Sequence, residues 1–318
     1  GGARPARVRT GKVKTEDLIG RGVAQALELV RELAVTGVAS PASDRPDQIR
    51  GLAETLRANR LRRLARRVLE LADLIDRPAR RHGGIQALAY ADVVADLLFA
   101  ARRIERHLAG ETLEARHMEE LVGRTWRKAD RTPVEGLVLV EYAYLVRMTS
   151  DAFTIRERRL IDLPSGTHYS EKQILPAFLA RRTPPLASQA GQRLAGTGAV
   201  YPGYAPHRLE MDGVAATGAA SGADIEAIGA TALAGPAAAL AAFAEHRRDV
   251  FAPDLLPVSI RADAIVAVGD RLAVVGRDGD AMLLALGAQI LDAVEGGTLS
   301  VVLGDIDLDG ILAVLRPL

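Results

Sequence analysis

The chain is expected to fold as α+β: an N-terminal antiparallel helical bundle, a β-rich module, and a C-terminal helix plus small antiparallel sheet or barrel. Three observations predict this. Apolar residues first recur at three- and four-residue spacing. The period changes after Gly123 to β-prone runs rich in Val, Leu and Tyr. The tail then alternates short β-prone runs with Gly- and Asp-containing turns. The expected divisions are a flexible lead-in at 1–14, a helical bundle at 15–122, a β-rich module at 123–213, and a helix plus small β-sheet domain at 214–318.

The first helix opens at Thr15, an N-cap residue followed by Glu16 and Asp17 in the first turn. Its stripe is Ile19, Val23, Ala26, Leu27, Val30, Leu33 and Ala34, and it ends near Thr36-Gly37. Ser40 to Pro46 is a loop. A second helical stretch, Asp47 to Asp76, carries two stripes. Ile49, Leu52 and Leu56 define one; Leu61, Leu64, Val68, Leu71 and Ile75 lie on a face rotated by roughly a quarter turn, so the helix breaks near Asn59. A third helix covers Ile85 to Ala109, with Tyr90, Val93, Val94, Leu97, Leu98, Ala101, Ile104 and Leu108 inward. Short connections between helices of similar length make a bundle.

Residues 137–148 and 153–163 are β-prone, joined by a hairpin turn at Thr149-Ser150-Asp151, and Pro164-Ser165-Gly166 marks a further turn. The dense Pro and Gly between Arg181 and Gly213 predict only short regular structure, with Gly196-Thr197-Gly198 in a loop. Residues 222–250 return to helix, interrupted at Gly235-Pro236. Strands are expected at 256–268, 271–276 and 281–286, with Asp278-Gly279 as a tight hairpin signal, and at 299–303 and 310–315.

Composition bounds the chemistry. The chain has 318 residues, 48% hydrophobic and 25% charged, enough for a large core in two or three domains. Aromatic residues make up only 4%, so the core is aliphatic and stacking platforms are few. With no cysteine, disulfides, thiolate zinc sites, thiol nucleophiles and iron–sulfur clusters are excluded, and a reducing, cytoplasmic setting is expected. No apolar run reaches the roughly 18 residues that span a bilayer, so no membrane partner is expected. Gly1-Gly2 without a Met is read as a non-native leader, with the native chain continuing upstream. The net charge of +1 conceals an asymmetry: residues 1–81 hold 18 Lys/Arg against 10 Asp/Glu, and residues 251–318 hold 4 against 10.

The strongest partner-binding candidates are Arg62, Arg63, Arg66 and Arg67. Arg62, Arg63 and Arg66 are expected on the solvent face of the second helical stretch, with Arg67 on its flank. Guanidinium groups along one face suit phosphates or an acidic protein surface. Glu70 and Asp73 on the same face favour instead a solvated helix. Trp126, among Arg124, Arg127 and Lys128, is read as a half-buried packing residue, with a cation–π cluster or an interface anchor as the alternatives.

Catalytic and metal motifs are not found. The six histidines (82, 107, 117, 168, 207 and 246) form no pair on one helix turn, and no zinc set is expected. Arg80-Arg81-His82-Gly83-Gly84 reads as a helix terminus. Tyr169 and Lys172 lie one residue too close for a short-chain dehydrogenase pair, and no Gly-rich nucleotide fingerprint, Walker motif or nucleophile elbow occurs. Asp305-Ile306-Asp307-Leu308-Asp309-Gly310 imitates a calcium loop, but its twelfth position is Arg316; it reads as a strand edge. No cofactor is expected.

The order of segments resembles the region that follows the zinc finger in bacterial SWIM zinc-finger proteins. The resemblance is carried by Ala26–Leu33 followed by Thr36–Ala39, by Leu61–Arg67, by the helix near Tyr90–Leu108, by Tyr201-Pro202-Gly203-Tyr204-Ala205-Pro206-His207-Arg208-Leu209, and by Leu256-Pro257-Val258. It implies a protein encoded beside MoxR-type AAA ATPases and von Willebrand A-type proteins, and hence a protein partner. The zinc ligands of that family do not occur in this chain.

Three functions follow as expectations. The first is a non-enzymatic scaffold or adaptor for a MoxR-type ATPase and von Willebrand A-type system. The second is a nucleic-acid-associated module using the Arg face. The third is an enzyme built from dispersed residues, whose signature would be a deep pocket gathering His168, Tyr169 and an acid.

Overall fold

The computed structural model describes residues 15–37, 45–81, 87–124, 126–148, 153–285, 300–309 and 312–318. The lead-in at 1–14, most of the Ser40–Pro46 loop, the His82-Gly83-Gly84 turn and the Thr149–Asp151 turn lie outside these residues. The chain is α+β and divides into two compact units, residues 1–125 and 126–318. Among the described residues no helix is long and apolar enough to cross a membrane.

The first unit contains α1 (Thr15–Thr36), α2 (Arg45–Ala58), α3 (Arg62–Arg81), α4 (Ala87–Leu108) and α5 (Ala115–Val122). The break expected near Asn59 is the turn between α2 and α3. It exists because the two apolar stripes cannot face one core on a straight helix. Leu56, Leu61, Leu64, Leu71, Leu97 and Ile104 are fully buried there. Gly22 lets α1 approach closely, since a Cβ at that position would run into Leu61 and Leu56. The α4 stripe is displaced from the expected one. Asp96 and Ala100 face inward, whereas Leu98 and Leu108 are exposed; Ala34 of α1 is also exposed.

The second unit begins with a closed five-stranded barrel in the order β1-β2-β3-β5-β4. Its strands are β1 (Thr132–Met148), β2 (Phe153–Asp162), β3 (His168–Pro176), β4 (Gln192–Val200) and β5 (His207–Ala219), with the one-turn helix α6 (Ala177–Ala180) after β3. All neighbours are antiparallel except β3 and β5. A five-stranded Greek-key closure of this kind is the architecture of OB-type barrels. Leu137, Leu139, Leu160, Tyr169, Leu194 and Leu209 fill it.

Two expectations are corrected here. Regular structure between Arg181 and Gly213 is not short: the stretch holds all of β4 and the first half of β5, and Gly196-Thr197-Gly198 lies within β4. Glycine is used there for close approach, because a Cβ on Gly198 would meet the Glu210 carbonyl oxygen and the Leu209 side chain. The boundary expected at 213/214 falls inside β5, so the barrel and the tail share one unit.

The tail comprises α7 (Gly222–Thr231), α8 (Pro236–His246), β6 (Leu256–Arg261), β7 (Ala264–Val268), β8 (Arg271–Val275), β9 (Ala281–Leu283), β10 (Val301–Asp309) and β11 (Leu312–Pro317). Pro236 ends the expected long helix and starts α8, where its missing N–H costs nothing. The strands make two three-stranded sheets, β11-β10-β6 and β7-β8-β9. Phe243, Val258, Ile260, Val274, Met282, Ile306 and Leu315 form their shared core with α8. A second apolar seam joins the barrel to the tail: Ile161, Leu163 and Ile228, with Val138, Val140, Val301 and Leu303 against them.

Candidate functional site

Polar residues in the second unit converge beside that seam, on the outer face of β1, β2 and β3. Strand alternation puts Leu160 inside the barrel and Arg159 and Glu157 outside. The register aligns Ala143, Arg159 and Ser170 in one row and Leu145, Glu157 and Lys172 in the next. A register irregularity between Glu141 and Ala143 inserts Tyr142, which packs with the outer seam.

His168 sits at the centre. Tyr142 OH lies 3.0 Å from its Nδ1, and Ser259 Oγ of β6 lies 3.0 Å from its Nε2. The tyrosine and histidine rings meet edge-on at 5.5 Å. Burial, reinforced by the nearby Arg159 charge, lowers the histidine pKa to about 4. The imidazole is therefore neutral at pH 7, with one nitrogen donating and the other accepting. Burial also pushes the Tyr142 hydroxyl well above its usual range.

Beside this peg, Arg159 faces Asp305 of β10 with nitrogen–oxygen distances of 3.4 Å. Glu157, fully buried, lies 2.8 Å from Arg159 Nε, 3.1 Å from Arg147 and 3.7 Å from Lys172. The Arg159 Nε approach is poorly aligned for a hydrogen bond, so this contact is an ion pair. Asp305 feels the opposing influences clearly: burial raises its pKa, and Arg159 only partly offsets the rise.

A second polar set closes one end of the barrel. Arg158 pairs with Glu171 and donates to the Ala187 carbonyl at 3.0 Å. Arg156 donates to the carbonyls of Ala180 (2.6 Å) and Thr183 (2.9 Å). Glu141 accepts from Ser188 Oγ (2.7 Å) and Gln189 N (2.8 Å). The segment between β3 and β4 is thus tied across the barrel end.

These arrangements hold elements together. The Ser259–His168–Tyr142 chain has the heteroatoms of a proton relay, but Ser259 is 6% exposed and His168 8%. A nucleophile needs substrate access and an oriented base. Tyr169, adjacent to His168, points the opposite way into the barrel core. The two residues do not converge on a common pocket. Among the described residues, no three His, Asp or Glu side chains are grouped to hold a metal ion.

The expected Arg face is divided. Arg62 and Arg66 are exposed and lie 3.3 and 3.9 Å from Glu119 and Glu120 of α5. Arg63 is the correction: it is 3% exposed, not on the solvent face. Its Nε reaches both Asp96 oxygens at 3.1 Å, and Arg67 Nε reaches the same carboxylate at 2.8 Å. At about 100° per residue, Arg63 and Arg67 flank the Leu64–Leu71 stripe, and a carboxylate on α4 draws them inward. Burial by itself would raise the Asp96 pKa; hydrogen bonds and charge from the two arginines outweigh it and hold the carboxyl below its usual value. Trp126 is half-buried at the start of the second unit.

Sequence reasoning did not single out Glu157, Arg159, Tyr142 or Ser259, and it read Asp305 as part of a strand edge, whereas the residue is buried against Arg159 on the central strand of its sheet. One signal was present: Arg156-Glu157-Arg158-Arg159 places four successive charges inside a strand that continues as Leu160-Ile161. No family model, curated protein or solved structure matches the chain.

Proposed function

We propose that the chain is a non-enzymatic scaffold or adaptor. The observation carrying this reading is the use made of its reactive side chains. His168, Ser259, Tyr142, Arg159 and Asp305 are consumed in fastening the tail to the barrel, and all but Tyr142 are less than a tenth exposed. The outer face of β2 and β3, which serves as the ligand face in OB-type barrels, is partly occupied by β6 and β10 of the same chain. Large apolar side chains stand exposed elsewhere, as at protein interfaces: Met148 and Phe178 are each 73% exposed.

In this reading the N-terminal helices form an antiparallel bundle, the setting is cytoplasmic, and the partner is a MoxR-type AAA ATPase or its von Willebrand A-type companion. The resemblance to the region following a SWIM zinc finger supports that choice. The test is direct binding between the purified chain and the ATPase from the same genome. A saturable complex is expected; two non-interacting species in sedimentation would remove this partner.

The alternative is nucleic-acid association through Arg62 and Arg66, the two arginines of the cluster that remain exposed. It predicts binding that falls steeply with salt and weakens when both are replaced. Salt-independent binding, or none, decides against it.

A further inference from the structure

β1 is 17 residues long, and only part of it is paired on both sides. Thr132–Val140 lie along β4, and Leu139–Met148 lie along β2. Beyond the irregularity at Glu141–Ala143, residues 143–148 have β2 as their only strand neighbour among the described residues. The segment between β3 and β4 bonds to the Glu141 carboxylate. No described group bonds the other backbone edge of 143–148.

The side chains on this edge alternate. Val146 and Met148 are 61% and 73% exposed on one face; Arg147 is half-exposed on the other. Proteins protect free strand edges with repeated charge, proline or covering elements, and here a single arginine stands there. Cations outnumber carboxylates at this barrel end. Segments 143–148, 153–157 and 172–183 contain Arg147, Arg156, Lys172, Arg181 and Arg182 against Glu157, which pairs with Arg147 and Lys172 and leaves a net positive charge. Arg156, opposite Val146, binds the Ala180 and Thr183 carbonyls, which brings the Arg181-Arg182 turn to the same end.

We propose that residues 143–148 of β1 form a strand-addition site for an extended, acidic segment of a partner protein. The guest supplies backbone hydrogen bonds along the open edge, about 20 Å for six residues. Its apolar side chains alternate onto Val146 and Met148, and its acidic ones onto the Arg147 face. This rests on the adaptor reading and adds the seat and the chemistry of the partner.

The test uses the full chain and a fluorescein-labelled ten-residue peptide of alternating valine and glutamate. Comparison probes are a valine–lysine version, a block-ordered valine–glutamate version and a ten-nucleotide oligothymidylate. Saturable binding of the alternating acidic peptide is expected, about tenfold tighter than either peptide control. Hydrogen exchange of the unmodified protein should then slow within 143–148. The double variant Val146→Asp/Met148→Asp should lose at least about tenfold in affinity, whereas Val268→Asp on the exposed edge strand β7 should not.

Protection elsewhere, equal binding of all peptides, or no saturable binding overturns the proposal. So does displacement of the peptide by oligothymidylate without protection at 143–148, which assigns the cations to nucleic acid. The exchange measurement stands even if the double variant misfolds. An ATPase that binds wild type and the folded double variant equally overturns the seat but leaves the adaptor reading. Peptide binding without ATPase binding has the reverse meaning.

Discussion

Arg159 on β2 and Asp305 on β10, 146 residues apart in the chain, oppose each other through two contacts of 3.4 Å. With Glu157, they make a buried charge row that only the folded tail completes. Breaking a buried pair from one side leaves the other charge uncompensated. Arg159→Met is therefore expected to cost about 3–5 kcal/mol. Asp305→Asn should cost less, because Glu157 remains beside Arg159. Urea unfolding of the two variants checks the order; equal losses would show that Glu157 shares none of the burden.

His168 makes stability depend on pH. Its pKa falls from 6.5 to about 4 on folding, so between these values the unfolded chain binds the extra proton. Stability from this group is complete above pH 6.5 and is lost as pH falls to 4, by about 3 kcal/mol in all. His168→Gln removes the titration. The wild-type-minus-variant difference in urea midpoint, followed from pH 7 to 4, should carry this slope; a flat difference would contradict it.

Asp96 is the keystone of α3 and α4. Asp96→Ala removes the carboxylate that buried Arg63 and Arg67 share, leaving Arg67 its pair with Glu70, and is expected to cost about 3–5 kcal/mol. Arg62→Ala and Arg66→Ala, on the exposed side of the same helix, should each stay within about 0.5 kcal/mol of wild type. Thermal unfolding of the three variants separates the flank from the face.

Gly123 ends α5 in the left-handed region, φ 63°, with its N–H donating to the Glu119 carbonyl at 3.1 Å. A Cβ there would overlap the Arg60 carbonyl oxygen. Gly123→Ala is expected to lose at least about 1 kcal/mol in chemical denaturation, since both backbone strain and overlap oppose it. Gly110→Ala, also at positive φ but with open space around it, should cost less.

Local chemistry determined much of this architecture in advance. The rotated stripes around Asn59 and the Gly235-Pro236 interruption depend on neighbours within a few residues, and one chain displays those neighbours directly. The barrel was another matter. Its glycines resemble loop residues until β4 and β5 lie against each other and the missing Cβ atoms become a packing requirement. Charged positions divided in the same way. Arg62 and Arg63 are adjacent and chemically identical, yet only the arrival of Asp96 on α4 makes one buried and leaves the other in solvent. His168 found its hydroxyl partners 26 and 91 residues away. Periodicity assigns a side chain to a face, but burial of charge depends on a compensating partner, and that partner is chosen by tertiary contact.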